Sequence, residues 1–240
     1  MRRLMPLLRR EVLSYLNSPI AYVVAVFFLV FTSVWFFFIQ QFVAQNVASL
    51  RAYFTIMPVI FILLIPALTM RSWAEERKLG TAELLLTLPY REGEVVFGKF
   101  LGVLALLASI LVLTLPVPLS VGPLGDFETG QIVGQYIGVL LLGSAGIAIG
   151  LFLSAFSSNQ ITAFILTAVV LLFMTLLNQV TLVADLPPAV ASVVNYLSIG
   201  YHFRSFERGL VDTRDVVFYL GTTYLFLYLN TKVLVYRKWR

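Results

Sequence analysis

Residues 93–100 come closest in this chain to a motif that performs chemistry. The run is GEVVFGKF, in which Gly93 and Gly98 stand five positions apart and Lys99 follows the second glycine. A phosphate-binding loop uses such glycines to hold an anion with backbone amides, and its lysine contacts the phosphates. The next residue of that loop carries a hydroxyl for magnesium, but here it is Phe100. We therefore predict that this run begins a membrane helix, with Lys99 at the lipid headgroups.

Other residues that commonly perform chemistry are sparse. His202 is the single histidine, and its polar neighbours in sequence, Ser198, Ser205 and Glu207, lie in an aromatic segment. Because a catalytic triad or a zinc site needs several converging groups, we expect His202 to have a packing role. The chain has no cysteine, which excludes thiolate chemistry. All 12 acidic residues lie outside the long apolar stretches. The sequence thus predicts no catalytic, cofactor-binding or metal site, and no ion-coupled pathway.

The composition indicates a membrane protein. Of the 240 residues, 60% are hydrophobic and only 12% are charged, with a mean hydropathy of +0.92. Soluble domains are nearer half apolar and a quarter charged. A soluble fold of this size cannot bury so much apolar surface. Most of the chain therefore has lipid as its solvent.

Six apolar stretches are each long enough for a transmembrane helix, which needs about 20 residues. They cover residues 20–42, 53–70, 100–119, 131–155, 160–183 and 216–235. Residues 1–17 mix arginine with apolar side chains, as an amphipathic helix at a membrane surface does. Residues 184–215 mix aromatic and charged side chains, which is typical of a re-entrant or interfacial segment. We predict one all-α integral membrane domain over residues 1–240, a bundle of six transmembrane helices.

Lysine and arginine positions predict the orientation of this bundle. Most of the 17 basic residues precede the first stretch, separate the second from the third, or follow the sixth. Short basic segments stay in the cytoplasm. Both termini and residues 71–99 are then cytoplasmic, and residues 184–215 lie on the outer side. The net charge of +5 follows from this pattern and does not require a nucleic-acid partner.

Small residues recur along the fourth apolar stretch. Gly134, Gly138, Gly146 and Gly150 share one register of four-residue spacing. Such a stripe lets two helix backbones approach closely. We expect it to pack against another helix of the same chain, and a seam between two chains is the alternative.

A short leucine-rich run lies among the charges of residues 71–99. Gly80 interrupts a charged helix, Thr81 is a suitable N-cap, and Glu83 complements the helix dipole in the first turn. Residues 84–88 then supply four leucines. An apolar helix between charged flanks needs a covering surface. A soluble partner is the favoured cover, and the membrane surface is the alternative.

Two segments resemble a known family. The run EERKLGTAELLLTLP at residues 75–89, followed by EVV at 94–96 and GK at 98–99, resembles the loop of type-2 ABC exporter permeases. The run YLSIGYHFRSFERGLVD at residues 196–212 resembles the gliding-motility (Gld-type) branch of that family. The likeness extends to the amphipathic start, the six spans and the segment before the last span, and so covers the whole chain.

This resemblance implies a permease subunit in the bacterial inner membrane. It would pair with a second copy or a paralogous permease and with two ATP-binding cassette subunits, which bind the ATP and magnesium. Residues 1–17 would be the family's connecting helix, and residues 75–88 its cytoplasmic coupling helix. The ATPase-coupling residues on this view are Glu75, Glu76, Arg77, Gly80, Thr81, Glu83, Leu84, Leu85, Leu86 and Leu88.

Three functions compete at this stage. The first is ATP-driven export through a permease that has no catalytic activity of its own. The second is a mechanotransducer or assembly scaffold, in which ATP-driven motion acts on a periplasmic partner, as the gliding-motility likeness suggests. The third is a lipid-modifying membrane enzyme, which the lack of clustered carboxylates, histidines or metal ligands disfavours.

Overall fold

The computed structural model describes residues 4–45, 48–80, 91–183 and 187–238, and these residues form helices without any strand. The first half contains α1 (Leu4–Leu16), α2 (Pro19–Val34), α3 (Phe42–Gln45), α4 (Arg51–Thr55), α5 (Met57–Thr69) and α6 (Arg71–Lys78). The second half contains α7 (Glu92–Leu113), α8 (Pro116–Val121), α9 (Thr129–Ser154), α10 (Gln160–Val183), α11 (Pro188–Leu197), α12 (Ile199–Glu207) and α13 (Thr213–Lys238). The all-α prediction is confirmed.

Among the described residues, five helical stretches have the length and apolar composition to cross a membrane. They are Pro19–Ile39, Met57–Lys78, Glu92–Leu124, Thr129–Ser154 and Gln160–Thr181. The 26-residue α13 has the length for a sixth crossing, but threonine, tyrosine and asparagine dilute its apolar character. These findings establish a multi-pass helical protein.

Prolines and a π-helical turn mark the irregular places in these stretches. The first stretch ends in a π-helix at Trp35–Ile39, after which Gln41 adopts a positive φ of 47°. Pro58 lies in the first turn of α5, where its missing N–H costs no helical hydrogen bond. Pro66 lies inside α5 and removes one helical hydrogen bond there. Helix α6 continues α5 after Met70, so that both belong to one stretch of 22 residues.

Helix α9 is the centre of the bundle. It packs against α5, α6, α7, α10, α12 and α13, and 72% of its apolar stretch is buried in the protein. The four glycines of the sequence stripe all contact other parts of the same chain. A Cβ added at Gly134 would lie 2.6 Å from the Gly209 carbonyl oxygen, and one at Gly138 would lie 2.3 Å from Phe206. A Cβ added at Gly146 would lie 3.3 Å from Ile65, and one at Gly150 would lie 2.3 Å from Thr69. In the structure each of these four glycines thus lies against another part of the same chain.

One end of the bundle, which we name the proximal end, holds α1, α6, the start of α7 and the ends of α9 and α13. Arg71 of α6 donates a hydrogen bond to Ser18, just before α2. Thr231 of α13 lies next to Gly93 at the start of α7. Helix α1 lies along the first turns of α7 and buries Leu7 there.

The opposite, distal end is covered by a helical hairpin. This distal hairpin consists of α11 and α12, which meet at Ser198, where the hydroxyl accepts a hydrogen bond from Tyr201 N. Helix α11 has no buried residue, whereas α12 buries an apolar face against α9, α10 and α13. Gly209 ends the hairpin with a positive φ of 77°, a conformation that favours glycine.

Candidate functional site

Three charged side chains from three separate elements meet at the proximal end. Lys99 Nζ on α7 donates to Glu11 Oε1 on α1 at 3.1 Å and to Glu76 Oε1 on α6 at 2.8 Å. The Lys99 side chain is only 2% exposed. We name these three residues the Lys99 cluster. It ties the N-terminal helix, the extension of the second stretch and the beginning of the third stretch to one cation.

Glycines of α7 bring α1 close enough for this contact. A Cβ at Gly98 would lie 1.9 Å from a methyl carbon of Leu7, and a Cβ at Gly102 would lie 2.8 Å from the Glu11 Cβ. The start of α7 is fixed by the Glu94 carboxylate, which accepts a hydrogen bond from the Arg91 backbone N–H at 3.0 Å. A flat face on α7 thus receives α1, with Lys99 beside it.

Burial makes the Lys99 cluster costly to break. The ring of Trp73 lies 4.9 Å from Lys99 Nζ, so the ammonium also meets the negative face of an indole. A buried charge that loses its partner destabilises a protein by about 3–5 kcal/mol. The three elements are consequently held together as long as all three charges are present.

A second set of contacts ties α6 to α1 and to the start of α2. Arg71 donates to both carboxylate oxygens of Glu75, at 2.7 and 3.0 Å, and also to the Ser18 hydroxyl. The hydroxyls of Tyr15 and Ser72 lie 2.7 Å apart. Burial raises the pKa of the Tyr15 phenol, so this hydroxyl stays protonated. A cleft of about 290 Å³ remains between α1, α6 and α7.

The other side of α6 is attached to the end of α9. The Ser154 hydroxyl lies 3.3 Å from the backbone N–H groups of Trp73 and Ala74, from which it accepts hydrogen bonds. Arg77 Nη1 donates to the Ala155 carbonyl at 3.1 Å. Helix α6 therefore contacts α1, α7 and α9 at once.

Four of the sequence-predicted coupling residues belong to the described part of the chain. Glu75 and Glu76 form ion pairs within the chain, Arg77 reaches α9, and Gly80 adopts a positive φ of 69° just beyond α6. The others lie outside the described residues: Thr81, Glu83, Leu84, Leu85, Leu86 and Leu88.

The expectation that Lys99 lies at the headgroups is wrong. Its ammonium is enclosed by two carboxylates, because residues distant in sequence converge on it. Lys99 therefore cannot serve a bound phosphate in this arrangement. Gly98, the second glycine of the run at residues 93–100, packs against Leu7. Within the described ranges, no group of three or more histidine, cysteine or acidic side chains converges as metal ligands.

His202 lies in the distal hairpin and has a partner that sequence reasoning missed. Its Nδ1 is 2.7 Å from Asp215 Oδ1 on α13, and its Nε2 is 2.9 Å from the Tyr196 carbonyl. Ser198 and Glu207, which are nearer in sequence, make other contacts. An acidic residue in the first turn of the next helix was the available signal, since a hairpin that returns to α13 brings the two together.

The comparison with protein families decides what kind of protein carries this arrangement. The sequence matches the family described as ABC-2 family transporter protein over residues 5–233. The chain belongs to the ABC-2 transporter family. The ABC-2 match runs from α1 to the last turns of α13 and includes every residue of the Lys99 cluster. This ABC-2 protein is accordingly a multi-pass membrane permease component of an ABC transporter, in a family that works with ATP-binding cassette subunits. A search of curated proteins gives no significant match.

Proposed function

We propose that this chain is the permease subunit of an ABC exporter and that α6 passes the motion of a separate ATPase to the membrane helices. The observation that carries the proposal is the Lys99 cluster, which joins α6 to α1 and α7 beside the predicted coupling segment. On this proposal the proximal end faces the cytoplasm of a bacterial cell, and the partner subunits bind ATP and magnesium.

Helix α6 suits this role because it belongs to a membrane-crossing stretch. Residues Met57–Lys78 form 22 residues of near-continuous helix, and 67% of the apolar part is buried. A push on residues 79–88 would tilt α5 through α6. Lys99 would pull α7 along, and Ser154 would move the end of α9. Closure of the ATPase subunits would thereby rearrange three membrane helices together.

A second permease, either another copy or a paralogue, is part of this proposal. The two least buried stretches are Pro19–Ile39 and Gln160–Thr181, with 17% and 22% of their apolar parts buried. On the first, Val23, Val26 and Val30 are all more than half exposed. Lipid covers such surface in a monomer, and the partner permease would cover part of it in the assembled transporter.

The test of the coupling assignment is copurification with the cognate ATPase. We expect Leu85→Asp to abolish copurification, because a carboxylate in an apolar docking surface is costly to desolvate. The variant should still insert into the membrane. Leu210→Asp is the matched control, since Leu210 is 61% exposed at the distal end. Normal copurification of Leu85→Asp would contradict the proposed coupling site.

A mechanotransducer of the gliding-motility type is the second candidate. The distal surface favours it: Val193, Tyr196 and Leu197 of α11 are all more than half exposed and would offer a periplasmic partner an apolar face. Copurification of a periplasmic protein that is lost in Val193→Asp, together with ATPase coupling in the absence of any exported solute, would favour this function over export.

A further inference from the structure

Helix α1 presents two different faces. Leu7 and Glu11, four residues apart, are 5% and 7% exposed and lie against α7. Met5, Leu13 and Leu16 are 70%, 45% and 45% exposed. Their spacings of eight and three residues place them together on the other side of the helix. The described part of the chain thus leaves an apolar stripe of α1 uncovered.

Two arginines accompany this apolar stripe. Arg9 stands within it, four residues after Met5, and Arg10 lies at its edge, and both side chains are exposed. Among the described residues, no hydrogen bond or ion pair engages either guanidinium. Glu11, the single acidic residue of α1, is on the buried face in the Lys99 cluster. The exposed face of α1 therefore carries positive charge and no negative charge.

The position of α1 along α7 favours lipid as the cover of this face. Leu7 lies beside Gly98, and Glu11 lies beside Gly102. Both glycines belong to the Glu92–Leu124 stretch, which is apolar enough to cross a membrane. At its other end, α1 is followed directly by α2, the beginning of the first such stretch. The outer face of α1 is consequently at the level of the bilayer surface, whereas a soluble partner would bind beyond that surface.

A polar cleft meets an apolar groove at Arg10. The cleft of about 290 Å³ between α1, α6 and α7 and an open groove of about 690 Å³ along α1 have Arg10 and Ser14 in common. The carboxylates in the cleft are already engaged, those of the Lys99 cluster by its ammonium and Glu75 by Arg71. Arg10 is thus the cation that an incoming anion can reach there. A phospholipid has the same order of parts, because its phosphate joins a polar headgroup to acyl chains.

We propose that α1 binds an anionic phospholipid at the proximal end of the bundle. Arg9 and Arg10 hold the phosphate, since a guanidinium offers a phosphate two parallel N–H donors. An acyl chain lies along Met5 and Leu13, and the polar end of the headgroup extends into the cleft. An anionic lipid is favoured over a zwitterionic one, because the exposed face has two cations and no carboxylate to pair with an ammonium group. Each arginine near an anionic membrane surface strengthens binding about fivefold.

A single fluorescent label can report this lipid, because the chain has no cysteine of its own. Bimane on Leu16→Cys, at the end of the exposed stripe, is placed in nanodiscs of phosphatidylcholine with the full-length chain alone. Spin-labelled phosphatidylglycerol or spin-labelled phosphatidylcholine is then titrated in as a quencher. We expect the phosphatidylglycerol to quench at a lower mole fraction than the phosphatidylcholine. No ATPase is present, so the outcome does not depend on the proposed coupling function.

Charge variants test the role of the two arginines. We expect Arg9→Gln and Arg10→Gln each to lower the apparent affinity for the spin-labelled phosphatidylglycerol about fivefold, and to leave quenching by phosphatidylcholine unchanged. Arg214→Gln is the matched control, because it removes the same charge from an exposed residue at the distal end. It should quench as the unaltered arginine does. The comparison of the two lipids in the chain that keeps all its arginines needs no charge variant to fold.

Three results would overturn the proposal. The first is equal quenching by the two spin-labelled lipids when all arginines are present. The second is a preference for phosphatidylglycerol that Arg9→Gln and Arg10→Gln retain as fully as Arg214→Gln does. The third is an absence of quenching by either lipid together with a change in bimane emission when the cognate ATPase is added, which would show that a soluble protein covers this face of α1.

Discussion

Lys99 is a charged residue inside a membrane-crossing stretch, and its surroundings explain how it is accommodated. A lone ammonium in an apolar setting is expensive, so such residues pair with carboxylates or face a cavity. Lys99 does both, because Glu11 and Glu76 contact it and a cleft lies beside them. Lys99 therefore connects α7 to α1 and α6 and does not extend to the protein surface.

At the residue scale, we predict that Lys99→Met destabilises the protein by about 3–5 kcal/mol, because the Glu11 and Glu76 carboxylates then lose the buried ammonium that lies between them. Thermal unfolding of the purified protein would measure the change. Lys78→Met serves as the control, since Lys78 is exposed at the end of α6. A loss no larger than that of the control would show that the Lys99 cluster does not hold these elements together.

A triple variant of the Lys99 cluster can distinguish its contribution to stability from its contribution to transport. In the triple variant Glu11→Gln, Lys99→Met, Glu76→Gln the charges are removed together, and we expect much of the stability to return. The variant should still copurify with the ATPase, but ATP-dependent transport should fall because α6 no longer pulls α7. Full transport by a stable triple variant would contradict the coupling role of the cluster.

Individual residues also mark the limit of what sequence reasoning could predict. The apolar runs predict most of the helices, since a membrane imposes their length and composition. The Lys99 cluster could not be predicted, because Lys99 is 88 residues from Glu11 and 23 from Glu76 in sequence. Asp215 was a possible partner for His202, because it lies in the first turn of the next helix, but the sequence does not show that α12 brings the imidazole to it.

The packing of helix α9 depends on positions that have no side chain. Its glycines occupy places where a side chain would collide with a neighbouring element. Gly138 meets Phe206 of the distal hairpin, and that aromatic ring fills the space a methyl group would need. The central helix thus accommodates its neighbours by close backbone approach.

At the element scale, we predict that Gly138→Ala destabilises the protein by about 1–3 kcal/mol, because the added methyl group would lie 2.3 Å from Phe206 and must displace α12. Gly221→Ala is the matched control. It also lies within a long helix, but nothing stands within 4 Å of its added Cβ, so stability should be unchanged or slightly higher. Thermal unfolding of both variants tests this, and equal effects would show that the contact with Phe206 does not matter.

For the whole molecule, the uneven burial of the membrane helices is the main feature. The stretches at α5–α6 and α9 are 67% and 72% buried, whereas those at α2 and α10 are 17% and 22% buried. A single chain therefore has an inner pair of helices and an outer pair that faces its surroundings. On the proposed function, a second permease would join at this outer pair.

At this scale, we predict oxidative cross-linking between two chains through cysteines placed at Val26 on α2 and Val169 on α10, which are 59% and 55% exposed. The chain has no cysteine of its own, so any cross-linked dimer reports these positions. Val26 paired with Val217 on α13, which is 65% exposed, is the control. Equal cross-linking of both pairs in membranes would contradict a dimer joined through α2 and α10.

Pro66 gives the stretch from Met57 to Lys78 a property that an unbroken rod would lack. The missing hydrogen bond at this proline makes the helix compliant near its middle, although its length is about 33 Å. We expect the part beyond Pro66 toward Lys78 to follow the ATPase first, while the part nearer Met57 lags behind. The proximal and distal ends of the bundle would then move at different times, so that the proximal end can close before the distal end opens.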